Sequence, residues 1–156
     1  MERDSEKAFH WIVGILKNHG IPFQIEGGLA ARAYGSEREL ADIDLVIPEA
    51  SFAEILPEVK DYVVSGPDQM KDKHWDLLLL VLDYEGQMIE IAGAYEQKYF
   101  DKVANEWVHA PSDFSKSEMH EVFGLMVPIV PKDNLVRAKK RLGREVDSLD
   151  LEFLEK

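Results

Sequence analysis

The stretch Glu26–Ile47, EGGLAARAYGSERELADIDLVI, constrains this chain more than any other. It opens on Gly27-Gly28, passes Arg32, Gly35 and Arg38, and closes on Asp42-Ile43-Asp44-Leu45. Side chains alternate faces along a strand. A strand over Asp42–Ile47 therefore points Asp42 and Asp44 one way and Ile43 and Leu45 the other. Two carboxylates on one strand face repel each other and lose hydration together. A bound divalent cation removes that penalty, because oxygen ligands suit Mg²⁺ and its charge reverses the local electrostatics. The paired glycines supply the other half of the pattern. Lacking Cβ, they let backbone N–H groups approach a ligand, and a helix over Leu29–Tyr34 aims its positive end at an anion such as phosphate. A phosphate cradle followed by paired carboxylates reads as metal-assisted chemistry on a nucleotide.

In the expected hairpin strand over Gln87–Ala92, Ile89 and Ile91 flank Glu90, so its carboxylate faces opposite to both isoleucines.

These residues carry a resemblance to the DNA polymerase β-like nucleotidyltransferase superfamily. It is nearest to the minimal branch that includes antibiotic and toxin–antitoxin nucleotidyltransferases. The order Gly-Gly, Gly, Arg, Asp-Ile-Asp-Leu is held here by Gly27, Gly28, Gly35, Arg38, Asp42 and Asp44. The tail Lys139…Gly143-Arg144…Asp147…Asp150 is similar to the C-terminal helices of that branch. Leu40 stands where the family often has Thr, and Glu26 stands where it is usually apolar.

The resemblance implies an α/β fold: a small mixed sheet, helices largely on one face and helical C-terminal support. It implies transfer of a nucleoside monophosphate from a nucleoside triphosphate to an acceptor hydroxyl, with release of pyrophosphate. Asp42 and Asp44 would hold two Mg²⁺ ions. The family's third carboxylate, set between apolar residues on a neighbouring strand, is best matched by Glu90, ahead of Asp83 and Asp76, and Glu90 would complete the catalytic metal site. Gly27 and Gly28 would hold the β- and γ-phosphates, and Arg38, Lys139 and Arg144 would reach the nucleotide. Asp147 and Asp150 are expected to anchor basic side chains. The acceptor is a small molecule or a partner protein, and so short a chain is expected to dimerise or use a partner to complete its pocket.

Composition narrows the partners. The chain has 156 residues, 18 basic against 30 acidic, so its formal charge is −12 and its surface repels long nucleic acid. The densest basic cluster is Lys139-Lys140-Arg141 with Arg144. There are no cysteines, which excludes thiol catalysis and cysteine zinc sites. The histidines at 10, 19, 74, 109 and 120 lack ligand spacing, and no P-loop, GxGxxG or GxSxG is present. The apolar run Leu77–Leu82 is too short to span a bilayer, and MERDSEKAF lacks signal-peptide character, so a cytoplasmic protein of one domain is expected.

Along the chain, helical spacing covers Ser5–Asn18, and a strand is expected at Ile21–Glu26. Ser51 caps a helix to Val59, a strand follows at Tyr62–Ser65, and Gly66-Pro67-Asp68 reads as a loop. Trp75–Asp83 and Gln87–Ala92 form a hairpin. Residues 95–119 read as short helices and loops over the sheet. Val122–Val130 is a strand, and Asp133 or Asn134 caps a helix over Leu135–Leu142, followed by one over Glu145–Leu154. The core then runs over residues 21–130, with C-terminal helices at 132–156. Two readings of other classes accompany the transferase: a nucleotide-binding module without turnover, and a structural subunit whose acidic surface meets a basic partner.

Overall fold

The computed structural model describes residues 3–156. Helix α1 (Ser5–Asn18) begins where the Asp4 side chain accepts from Lys7 N–H, and it buries Phe9, Ile12 and Leu16 completely. Next come β1 (Gln24–Glu26), α2 (Gly27–Ala33), β2 (Ile43–Ile47) and α3 (Phe52–Val59). The remaining strands are β3 (Val63–Lys71), β4 (Trp75–Tyr84), β5 (Gln87–Gly93), β6 (Lys98–Asp101), β7 (Glu106–His109), β8 (Glu118–Val122) and β9 (Leu125–Ile129). Helices α4 (Lys132–Leu142) and α5 (Glu145–Leu154) close the chain.

The strands make one mixed sheet in the order β7-β6-β4-β5-β2-β1-β9-β8, with β3 also paired to β4. The β2–β5 and β1–β9 pairs are parallel and the others antiparallel. Alternation divides the sheet into two faces. Ile25, Ile43, Leu45, Ile47, Leu80, Leu82, Ile89 and Ile91 are buried on one, in a core shared with α1 and α3. On that face the Trp11 ring stacks on Tyr84 at 4.3 Å. Gln24, Glu26, Asp44, Val46, Leu79, Glu90 and Ala92 lie on the other face and line a cavity. Helix α4 supplies Leu135, Lys139 and Leu142 to that cavity, so the helices occupy both faces rather than largely one.

Several local expectations are corrected. Strand β3 continues through Gly66-Pro67-Asp68 instead of ending in a loop. It is bulged between Val63 and Asp68, and it pairs only with β4, so the proline's missing donor breaks no ladder on its far side. Residues 95–119 contain the β6–β7 hairpin and the start of β8, with a single 3₁₀ turn at Phe114–Lys116, rather than short helices. The strand expected over Val122–Val130 is the second arm of a β8–β9 hairpin, turned at Phe123 (φ 49°) and Gly124 (φ 81°). Helix α2 starts at Gly27, before the expected Leu29, and Asp42 lies just ahead of β2 rather than within it. Helix α4 starts at Lys132 behind Pro131, and neither Asp133 nor Asn134 caps it. No described helix is long and apolar enough to cross a membrane.

Candidate active site

The site begins with register. Glu26 of β1 lies opposite Asp44 of β2, and Asp44 lies opposite Glu90 of β5. Three carboxyl groups thus form a row across three neighbouring strands, all facing the cavity. Asp42, two residues before Asp44 and just ahead of β2, adds its charge to the group. Burial raises the Asp44 carboxyl well above the ordinary carboxylate range, and the charge and hydrogen bond of Glu90 raise it further. Burial also pushes Glu26 up to about 8, against a hydrogen bond from Ser112 and the charge of Lys139. Glu26, which departs from the family's usual apolar residue, is therefore a member of the candidate site. Its signal was the alternation Gln24-Ile25-Glu26, which puts Glu26 on the face opposite Ile25.

Both glycines lie against neighbouring side chains, and Gly27 is required by them. Gly27 has φ +61°, and a Cβ there would lie 3.0 Å from Asp44 Cγ and overlap Oδ2. A Cβ on Gly28 would meet Arg38 Nη2 at 3.0 Å. That guanidinium has little room to retreat, because Nε and Nη2 each donate to Asp150, both at 2.9 Å.

Asp150 is fully buried and is the centre of a basic network. Ser36 Oγ donates to it at 2.9 Å, and Lys139 Nζ lies 2.9 Å from its Oδ2. Burial works to raise this carboxyl, but hydrogen bonds from Arg38 and Lys139 outweigh it and hold it at about 2. Asp147, equally buried, accepts from Arg144 Nε at 2.8 Å and Nη2 at 3.0 Å, and it lies 3.4 Å from Lys139 Nζ. Arg144 also faces the Trp75 ring at 5.5 Å. The anchoring expected of Asp147 and Asp150 is thus present.

The cavity has a volume of about 470 Å³. It brings together Gly27, Asp44, Glu90, Lys139 and Arg144 from the expected set, and it adds Glu26, Trp75 and Ser112. Gly28, Arg38 and Asp42 lie outside its lining. The oxygen-only donors Asp42, Asp44, Glu90 and Glu26 fit a hard divalent cation by their chemistry. Among the described residues, no three or more acidic, histidine or cysteine side chains are already gathered as a metal cage.

The fold is that of nucleotidyltransferases. A candidate nucleotidyltransferase from Thermotoga maritima superposes with a TM-score of 0.72 at 22% identity, over 94% of this chain and 89% of that one. The lincosamide antibiotic adenylyltransferase LnuA, solved with lincomycin bound, gives 0.65 at 14% identity over 99% of both chains. The antibiotic-resistance factor ANT(2'')-Ia gives 0.61 at 15% identity, over 94% of this chain and 82% of that one. No protein-family profile matches the sequence, and no curated protein matches it.

Proposed function

We propose that the protein is a divalent-metal-dependent nucleotidyltransferase that moves a nucleoside monophosphate from a nucleoside triphosphate to a hydroxyl acceptor. The observation that carries this reading is the placement of Asp44 beside Glu90 on parallel strands, facing the cavity immediately next to the Gly27 turn. Solved relatives of the same fold add support, since one is an adenylyltransferase solved with its antibiotic and another was solved with adenylyl-2''-tobramycin.

Asp42, Asp44 and Glu90 are the residues that would hold Mg²⁺, which neutralises charge on the triphosphate when bound. Gly27 and Gly28 would present backbone N–H groups to the phosphates, and Glu90 would stand nearest the acceptor's proton. Arg38, Lys139 and Arg144 act in this reading mainly through position. Their charges are spent on Asp150 and Asp147, so they fix α4, α5 and the segment before β2 around the nucleotide.

Calorimetry with each of the four nucleoside triphosphates, with and without Mg²⁺, tests the reading. Expected is Mg²⁺-dependent binding of at least one of them, abolished by Asp44→Asn. Binding without pyrophosphate release in the presence of any acceptor would favour the module without turnover. No binding of any triphosphate would sink the transferase.

A further inference from the structure

The carboxylate row divides the sheet face into two zones. Strand β1 runs from Gln24 through Glu26 into Gly27, so the glycine turn lies on one side of the row. On the other side, two residues along each strand, the register aligns Gln24 with Val46, Val46 with Ala92, and Ala92 with Leu79. That second row is about 7 Å from the first, from the rise per strand residue. The same face continues to Leu77 and Trp75, and Trp75 pairs with Tyr99 of β6. Beyond Gln24 at one end of that row, the cavity floor passes from carboxyl groups to an aliphatic patch of Val46, Ala92, Leu79 and Leu77 and then to an aromatic wall.

We infer that this apolar zone is the acceptor pocket, and that it takes a small, uncharged hydroxyl compound with an aromatic or alicyclic body. The inference rests on the transferase reading above. In phosphoryl-type transfer the attacking and leaving oxygens stand in line on opposite sides of the phosphorus. With pyrophosphate leaving toward Gly27–Gly28, the acceptor oxygen approaches from the side of Val46, Ala92 and Leu79. That oxygen forms the new bond to the α-phosphorus as the bond to the bridging oxygen breaks. The electron pair leaves with pyrophosphate, and the hydroxyl proton passes to a carboxylate of the row. The zone's chemistry then selects the acceptor. Sugar hydroxyls or ammonium groups laid on Leu77, Leu79, Val46 and Ala92 would lose water over side chains that offer no polar atom, whereas a ring buries its surface there. The amide at the end of that row, Gln24, already donates to Ser117 Oγ and Asp113 O. The flat wall of Trp75, held by Arg144 on one side, suits a ring rather than a flexible chain.

The test uses the full chain with ¹³C-labelled Leu, Val and Ala methyls and backbone ¹⁵N. The probes are 2-naphthol, glucosamine, and each nucleoside triphosphate with Mg²⁺. Expected are shifts at Val46, Leu77, Leu79 and Ala92 with 2-naphthol, and at least tenfold weaker binding of glucosamine. Ala92→Leu, which fills the zone, and Leu79→Asn, which makes it polar, should each weaken 2-naphthol tenfold or more. Failure of 2-naphthol to move these methyls overturns the inference. So does displacement of 2-naphthol from them by a triphosphate, since the zone would then hold the base. If triphosphates leave the Gly27 and Gly28 amides unmoved while 2-naphthol binds, the transferase reading fails and the apolar site stands.

Discussion

The Asp44 carboxylate occupies the space in which a side chain at position 27 would have to begin. Gly27 and Asp44 are neighbours because β1 and β2 pair antiparallel with Glu26 opposite Asp44. The glycine is therefore demanded twice, by its positive φ and by the carboxylate above it.

Gly27→Ala should destabilise the fold by about 2–4 kcal/mol, because the strained backbone and the overlap act together. Asp44→Gly in the same background removes the overlap but leaves the strain, and should recover part of the loss. Urea unfolding of the single and double variants measures the coupling, and strict additivity would contradict it.

Asp150→Ala leaves the buried Lys139 and the part-buried Arg38 without their shared partner and should cost about 3–5 kcal/mol. The wild-type group also predicts an acid limb. Its carboxyl is held at about 2, below the unfolded value of about 3.9, so the folded state binds its proton less readily. Its contribution of roughly 2–3 kcal/mol is present above pH ~4 and is lost as pH falls through 2. Stability curves of wild type and Asp150→Asn between pH 2 and 6 should converge at the acid end.

Glu26 works in the opposite direction. Burial raises it to about 8, so the folded state keeps a proton that the unfolded chain releases above about 4.5. Wild-type stability should therefore fall as pH rises from about 4.5 to 8, by a few kcal/mol at most. Glu26→Gln carries no such charge. Melting temperatures measured in EDTA should match near pH 4.5 and favour the variant at pH 8, and an equal offset at both pH values would refute the assignment.

A second glycine is held by a carboxylate. A Cβ on Gly93 would meet Glu49 Cγ at 2.6 Å, where Glu49 crosses the end of β5 to accept from Tyr95 and Glu96 N–H. Gly93→Ala should displace Glu49 and loosen the connection into β6, at about 1–3 kcal/mol. Amide exchange at Tyr95 and Glu96 should quicken with it, while exchange in α1 stays unchanged.

The local part of the site was legible in the sequence, and the distant part was not. Gly27-Gly28 and the Asp-Ile-Asp run sit within one strand–helix–strand unit, so spacing alone gave their relation. Alternation between two isoleucines gave the face of Glu90, and the family resemblance gave the reason to look for a carboxylate there. Glu26 became a site residue only through its antiparallel partner Asp44, a pairing that no local pattern fixes. Arg38 and Lys139 show cationic character in the sequence, but not that a buried aspartate at 150 would claim both. The strands of residues 95–119 escaped because β6 and β7 are four residues each, too short for period-two alternation to stand out. Gly124 was the missed mark of the β8–β9 turn.

Asp147 and Asp150 lie on the last helix, yet the groups they hold include Ser36 and Arg38, more than a hundred residues earlier. During synthesis on the ribosome, β1, α2 and β2 leave the exit tunnel long before their buried counter-charges exist. Only when α5 emerges does the cavity gain its final wall. A chain interrupted before residue 147 would carry the Asp-x-Asp signature intact and still lack a closed pocket, so premature termination yields a product that looks complete by motif and is incomplete by architecture.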